Sequence, residues 1–118
     1  HHIFPKDHCI SQGYSREKWN SIINKTPISA SSNREIGGYA PSVYLGRLEK
    51  KGSVTSADLD SYVETHWIDH ELLRKDEFQD FIIDRAKKLL NEVEQVTGRK
   101  ISGRDSEEVR KAFGEALV

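Results

Sequence analysis

The fold turns on six residues, His1-His2-Ile3-Phe4-Pro5-Lys6, read together with Asn24-Lys25-Thr26 and Asn33-Arg34 further along the chain. Adjacent histidines on an extended segment point to opposite faces, because side chains alternate along a strand. One ring can then face a metal while its neighbour faces a substrate. Pro5 cannot donate to a ladder, so residues 1–4 read as the end of a short strand.

Outward from that stretch, residues 5–14 read as a polar loop. Ser15 can cap a short helix with Glu17 in its first turn and an apolar patch of Trp19, Ile22 and Ile23. Residues 24–28 read as a second strand, and residues 29–32 open a helix that contains Asn33 and ends at Gly37-Gly38. Pro41 suits the first turn of a helix closing on Lys50-Lys51-Gly52. Thr55 and Asp58 match a capping box before Leu59, Tyr62, Val63, His66 and Trp67. A longer helix is expected over 75–97, with a buried stripe of Phe78, Phe81, Ile82, Leu89, Leu90, Val93 and Val96 and a stop at Gly98. Asp105 and Glu108 read as the cap of a last helix striped by Val109, Ala112, Phe113, Ala116 and Leu117. The expected fold is one α+β domain, mostly helical: a strand-strand-helix unit over 1–40, then an extension of about four helices over 41–118.

With 118 residues, 36% of them hydrophobic and 31% charged, the chain suits one domain with a modest core. No apolar run approaches the roughly 18 residues of a membrane span, and no stretch has a signal-peptide pattern. Cys9 is the single cysteine, which excludes an internal disulfide and a multi-cysteine zinc knuckle, and a cytoplasmic setting is expected. Residues 1–51 carry eight Lys and Arg against four Asp and Glu, whereas residues 52–118 carry ten against fifteen. An anionic partner would favour the first half, although solvated helical faces also vary in sign. A chain opening on a strand without methionine is expected to belong to a longer polypeptide; a tag remnant is the other reading of two leading histidines.

Several residues carry two readings. Asp7-His8 is either an extra ligand pair or a solvated loop. His66 lies on an apolar stripe and reads as a satisfied core histidine; pairing it with His70 as metal ligands leaves no third ligand. Cys9 reads as a passive thiol, and Trp19 and Trp67 as core residues rather than base-stacking platforms.

The combination of His1-His2-Ile3-Phe4-Pro5-Lys6, Asn24-Lys25-Thr26 and Asn33-Arg34 resembles the HNH endonuclease superfamily, built on the ββα-metal motif. The nine-residue step from Asn24 to Asn33 is similar to that in the HNH domain of RNA-guided CRISPR nucleases. The runs around residues 2–6, 23–29, 31–38 and 40–45 look closer to the C-terminal HNH domain of modification-dependent restriction enzymes and related bacterial defence proteins. The resemblance is strong over about residues 1–45 and loose beyond.

That resemblance implies roles. His2 would be the general base, His1 and Asn33 would hold one divalent cation, and Asn24 would fix the hairpin and orient His2. Lys6, Lys25 and Arg34 are candidates for phosphate contacts from their charge. The cation would be Mg²⁺ or Mn²⁺, with Zn²⁺ or Ni²⁺ admitted by the histidine ligand. The implied activity is metal-dependent DNA hydrolysis within a larger restriction or defence protein. A non-catalytic nucleic-acid- or protein-binding module and an RNA-cleaving toxin domain are the other readings. The chemistry agrees: an activated water and charge stabilisation on the leaving oxygen are what phosphodiester cleavage needs.

Overall fold

A computed structural model describes residues 1–52 and 54–118, with the side chains of all but Ala30 and Ser31. Helices dominate. The chain runs through α1 (Lys6–Gln12), α2 (Arg16–Trp19), a 3-10 turn (Ile22–Asn24), α3 (Ala30–Ile36), α4 (Pro41–Gly52), α5 (Ser56–Glu64), α6 (His70–Arg74), α7 (Phe78–Thr97) and α8 (Glu107–Phe113).

Local chemistry accounts for most of these boundaries. Ser29 Oγ accepts the Ser32 amide at the start of α3, and Thr55 Oγ1 accepts the Asp58 amide at the start of α5. Pro41 opens α4, where its missing N–H costs nothing. Gly98 ends α7 in the left-handed conformation, at φ 69°.

The two expected strands are far shorter than their sequence suggests. Among the described residues no strand forms, and the pairing reduces to one antiparallel bridge between His2 and Lys25. Around it Ile3 N–H donates to the Asn24 carbonyl (2.8 Å) and Thr26 N–H to the His1 carbonyl (3.0 Å). Two causes limit the ladder. Pro5 stops the first segment, and residues 22–24 coil into the 3-10 turn instead of extending. The helical part of the expected class therefore stands, while no strand-strand-helix unit forms among the described residues, only the single bridge ahead of α3.

Four further expectations are corrected. Residues 6–12 form α1 rather than a loop, launched from extended Pro5 and closed by left-handed Gly13 (φ 75°). The helix expected over 75–97 is α7, which begins at Phe78, and α6 is a short helix ahead of it that was not expected, so five helices follow Gly38 among the described residues where about four were expected. The last cap is Ser106, whose Oγ accepts the Val109 amide, not Asp105. Val93 and Val96 are exposed, Val96 at 76%, because the far end of α7 runs past the core.

Phe4 sits at the centre of the core. It is fully buried and meets Phe78 edge-on (centroids 5.2 Å apart) and Phe81 at 4.9 Å, both from α7. Tyr14 stacks on Phe78 at 4.3 Å. A phenylalanine so enclosed contributes about 2–3 kcal/mol from apolar burial. The segment that carries both leading histidines is thus anchored to the longest helix. A smaller cluster of Ile83, Ala86 and Leu117 ties down the C-terminal residues. No described helix is long and apolar enough to cross a membrane.

Candidate functional site

Asn24 organises the site from below. It is 0% exposed, and its carboxamide is fully used: Oδ1 accepts the Phe4 amide (2.8 Å), while Nδ2 donates to the carbonyls of Phe4 (2.9 Å) and Trp19 (2.8 Å). A buried amide satisfied at three points specifies one geometry, because every alternative orphans a polar group. Tyr44 Oη donates to the Ile3 carbonyl (2.6 Å) from α4, completing the hold on residues 3 and 4. Burial pushes the Tyr44 phenol well above its ordinary pKa, so it remains a donor.

Above this anchor, His1, His2, Pro5, Lys6, Asp7, Asn33, Ile36, Gly37 and Gly38 border one cleft of about 240 Å³. The three residues expected to serve as base and metal ligands therefore meet in one place, although Asn33 is 31 positions from His2. Strand alternation separates the two histidines, yet both border this cleft. His2 turns its ring toward α2, edge-on to Trp19 at 5.6 Å. Its Nε2 hydrogen-bonds Asn20 Oδ1 (3.3 Å). A carboxamide oxygen only accepts, so Nε2 is the donor of this pair, which in the neutral ring leaves the lone pair on Nδ1.

Lys6 borders the cleft, whereas Lys25 and Arg34 are not among its bordering residues. Lys25 instead serves through its backbone, in the bridge to His2 and as an acceptor for Arg85. Asp7, weighed as ligand or loop, lies in the first turn of α1 at the cleft edge. Gly38 makes room for it: a methyl there would come within 3.0 Å of Asp7 Oδ2.

The donor chemistry suits a hard or borderline divalent cation. His1 supplies an imidazole, Asn33 a carboxamide oxygen and Asp7 a carboxylate, a mixed nitrogen and oxygen set. No group of three His, Cys, Asp or Glu is placed to hold a metal among the described residues, so a cation here would draw on the Asn33 carboxamide beside His1.

The remaining candidates resolve as packing. His66 Nδ1 pairs with Thr26 Oγ1 (2.9 Å), a satisfied, half-buried histidine in the turn after α5. His70 faces Asp60 and Glu64 rather than His66. Trp19 is buried as expected, but Trp67 is 40% exposed and adopts φ 60°, so it belongs to the turn after α5, not to the core. Ile22, 79% exposed, likewise leaves the patch expected around Trp19.

A 45-residue segment, 38% of this chain, is 44% identical to a protein of Methanocaldococcus jannaschii named only as uncharacterized, of which it covers 8%. The chain thus spans a small part of that relative. No family model and no solved structure matches.

Proposed function

We propose that this chain carries an HNH-type, divalent-metal-dependent endonuclease centre acting on DNA phosphodiesters. The observation that supports the reading is the meeting of His1, His2 and Asn33 at one cleft over the buried Asn24 clamp. His2 Nδ1 takes a proton from the attacking water, with the imidazole oriented by Asn20 and Trp19. His1 and Asn33 would hold the cation, with Asp7 at the same edge. Mg²⁺ or Mn²⁺ bound there would supply Lewis-acid stabilisation of the phosphate and of the departing 3′ oxygen. Lys6, at the cleft edge, steers and neutralises the backbone phosphates. The products are a 5′-phosphate and a 3′-hydroxyl.

The site carries no base-reading element of its own, so sequence or modification specificity belongs to the remainder of a larger, cytoplasmic restriction or defence protein. A non-catalytic binding module is the second reading, favoured by the single bridge that supports the two histidines.

Incubating the protein with supercoiled plasmid in Mg²⁺, Mn²⁺ or EDTA tests the proposal. The nuclease reading expects metal-dependent nicking, and Asn33→Ala raises the Mn²⁺ concentration needed by about tenfold or more. A salt-sensitive gel shift without cleavage supports the binding module instead. Cleavage of RNA in preference to DNA supports the toxin reading.

A further inference from the structure

Asn24 and Arg85 are the two buried polar residues among those described, and both grip the same short segment. Arg85 projects from α7 and is 4% exposed. Its guanidinium meets no carboxylate. Nη1 donates to the carbonyls of Ile23 (2.6 Å), Lys25 (3.0 Å) and, more distantly, Ile22 (3.4 Å), while Nε donates to the His66 carbonyl (3.2 Å). A buried cation compensated by backbone dipoles alone is costly, and an apolar side chain on this helical stripe would avoid that cost.

What Arg85 holds is the support of the cleft. The Ile23 and Lys25 carbonyls flank Asn24, whose carboxamide closes on Phe4 and whose own carbonyl accepts Ile3 N–H. Lys25 is bridged to His2. On the other side, His66 pairs with Thr26, whose amide donates to the His1 carbonyl. Two paths therefore lead from one guanidinium to the backbone on either side of His2, ending in hydrogen bonds at the His1 carbonyl and the Ile3 amide. The same helix places Phe81 against Phe4, one turn before Arg85.

We infer that Arg85 is a positioning residue: α7 uses its guanidinium to set the backbone of residues 22–26 and, through it, the placement of His1 and His2 in the cleft. Burial lowers the Arg85 pKa, and a guanidinium remains charged at neutral pH. The inference rests on the nuclease reading for its catalytic consequence, but not for its structural one.

The experiment compares the intact protein with Arg85→Lys and Arg85→Gln. Hydrogen exchange is followed in peptides covering 1–5 and 24–28, with peptides from α4 and from α7 beyond residue 86 as internal references. Nicking kinetics are measured in parallel, well below each variant's unfolding midpoint. Lysine keeps a cation but cannot span the Ile23, Lys25 and His66 carbonyls as the planar fork does. The expected result is faster exchange confined to the 1–5 and 24–28 peptides, by about tenfold in Arg85→Lys and more in Arg85→Gln. With it, kcat falls by about tenfold or more while KM for DNA stays within about twofold. Unchanged exchange at those peptides, or equal loss of protection in the reference peptides, overturns the inference. A KM rise with kcat intact also overturns it. If the local exchange changes as expected and the unsubstituted protein nicks no DNA, the nuclease reading fails and the clamp remains.

Discussion

Asn24 closes on Phe4 from both ends of the same peptide unit, accepting from its amide at 2.8 Å and donating to its carbonyl at 2.9 Å. The first segment is held by a side chain where a longer hairpin would use a ladder. Substituting Asn24→Ala leaves the Phe4 amide without its partner inside the core. The expected cost is about 2–4 kcal/mol of stability, since buried groups are orphaned as well as bonds lost. Asn24→Asp is as damaging, because a carboxylate faces the carbonyls of Phe4 and Trp19 where Nδ2 donated. Urea unfolding measures both, and a midpoint unchanged in either variant contradicts the clamp.

Cys9 is fully buried, and burial pushes its thiol up to about 12 from an ordinary 9.0. The native protein should therefore resist iodoacetamide at pH 8 and react once unfolded. Rapid native labelling at pH 8 would count against this burial.

The same shift fixes a pH dependence. Below pH 9.0 the thiol is protonated in both states; between 9.0 and about 12 only the folded thiol keeps its proton. Folding then binds a proton, so stability falls as pH rises through that window, by up to about 1.4 kcal/mol per unit. Tyr14 and Tyr44, also raised by burial, add the same sign above pH 10.0. Comparison with Cys9→Ala between pH 9 and 10 isolates the thiol: the variant's stability should fall less steeply there, because only the tyrosines remain to titrate.

Asn20 holds His2 Nε2 as a donor at 3.3 Å. Asn20→Asp puts a carboxylate at that position and favours the imidazolium. The acidic limb of the nicking pH profile should then move up by about half a unit to one unit, damped by solvent because Asn20 is exposed. A profile that does not move separates His2 from the titrating base.

Much of this was legible in the residues, and the failures have physical reasons. Caps announce themselves, so α3, α4 and α5 begin where Ser29, Pro41 and Thr55 indicate. The gathering of His1, His2 and Asn33 was readable only through the joint spacing with Asn24, since each residue alone fits an ordinary turn or surface. α1 was hidden because Lys6–Gln12 buries only Cys9 and has no apolar period; Gly13 was the available sign of a helix end. The strands were overread because Asn24 satisfies Phe4 by its side chain, a choice that local propensity cannot display. Arg85 escaped notice because a charge on a helix is read as solvated. Its position one turn after Phe81, inside the apolar stripe, was the signal.

The central claim is that His2 is the base of a metal-dependent nuclease centre, and single-turnover nicking of supercoiled plasmid in Mn²⁺ tests it most directly. The prediction is that the protein nicks only with the divalent ion present. His2→Ala should lower the rate by about a hundredfold or more, with folding and Mn²⁺ affinity from calorimetry retained. Equal nicking by His2→Ala and the unsubstituted protein would contradict the account.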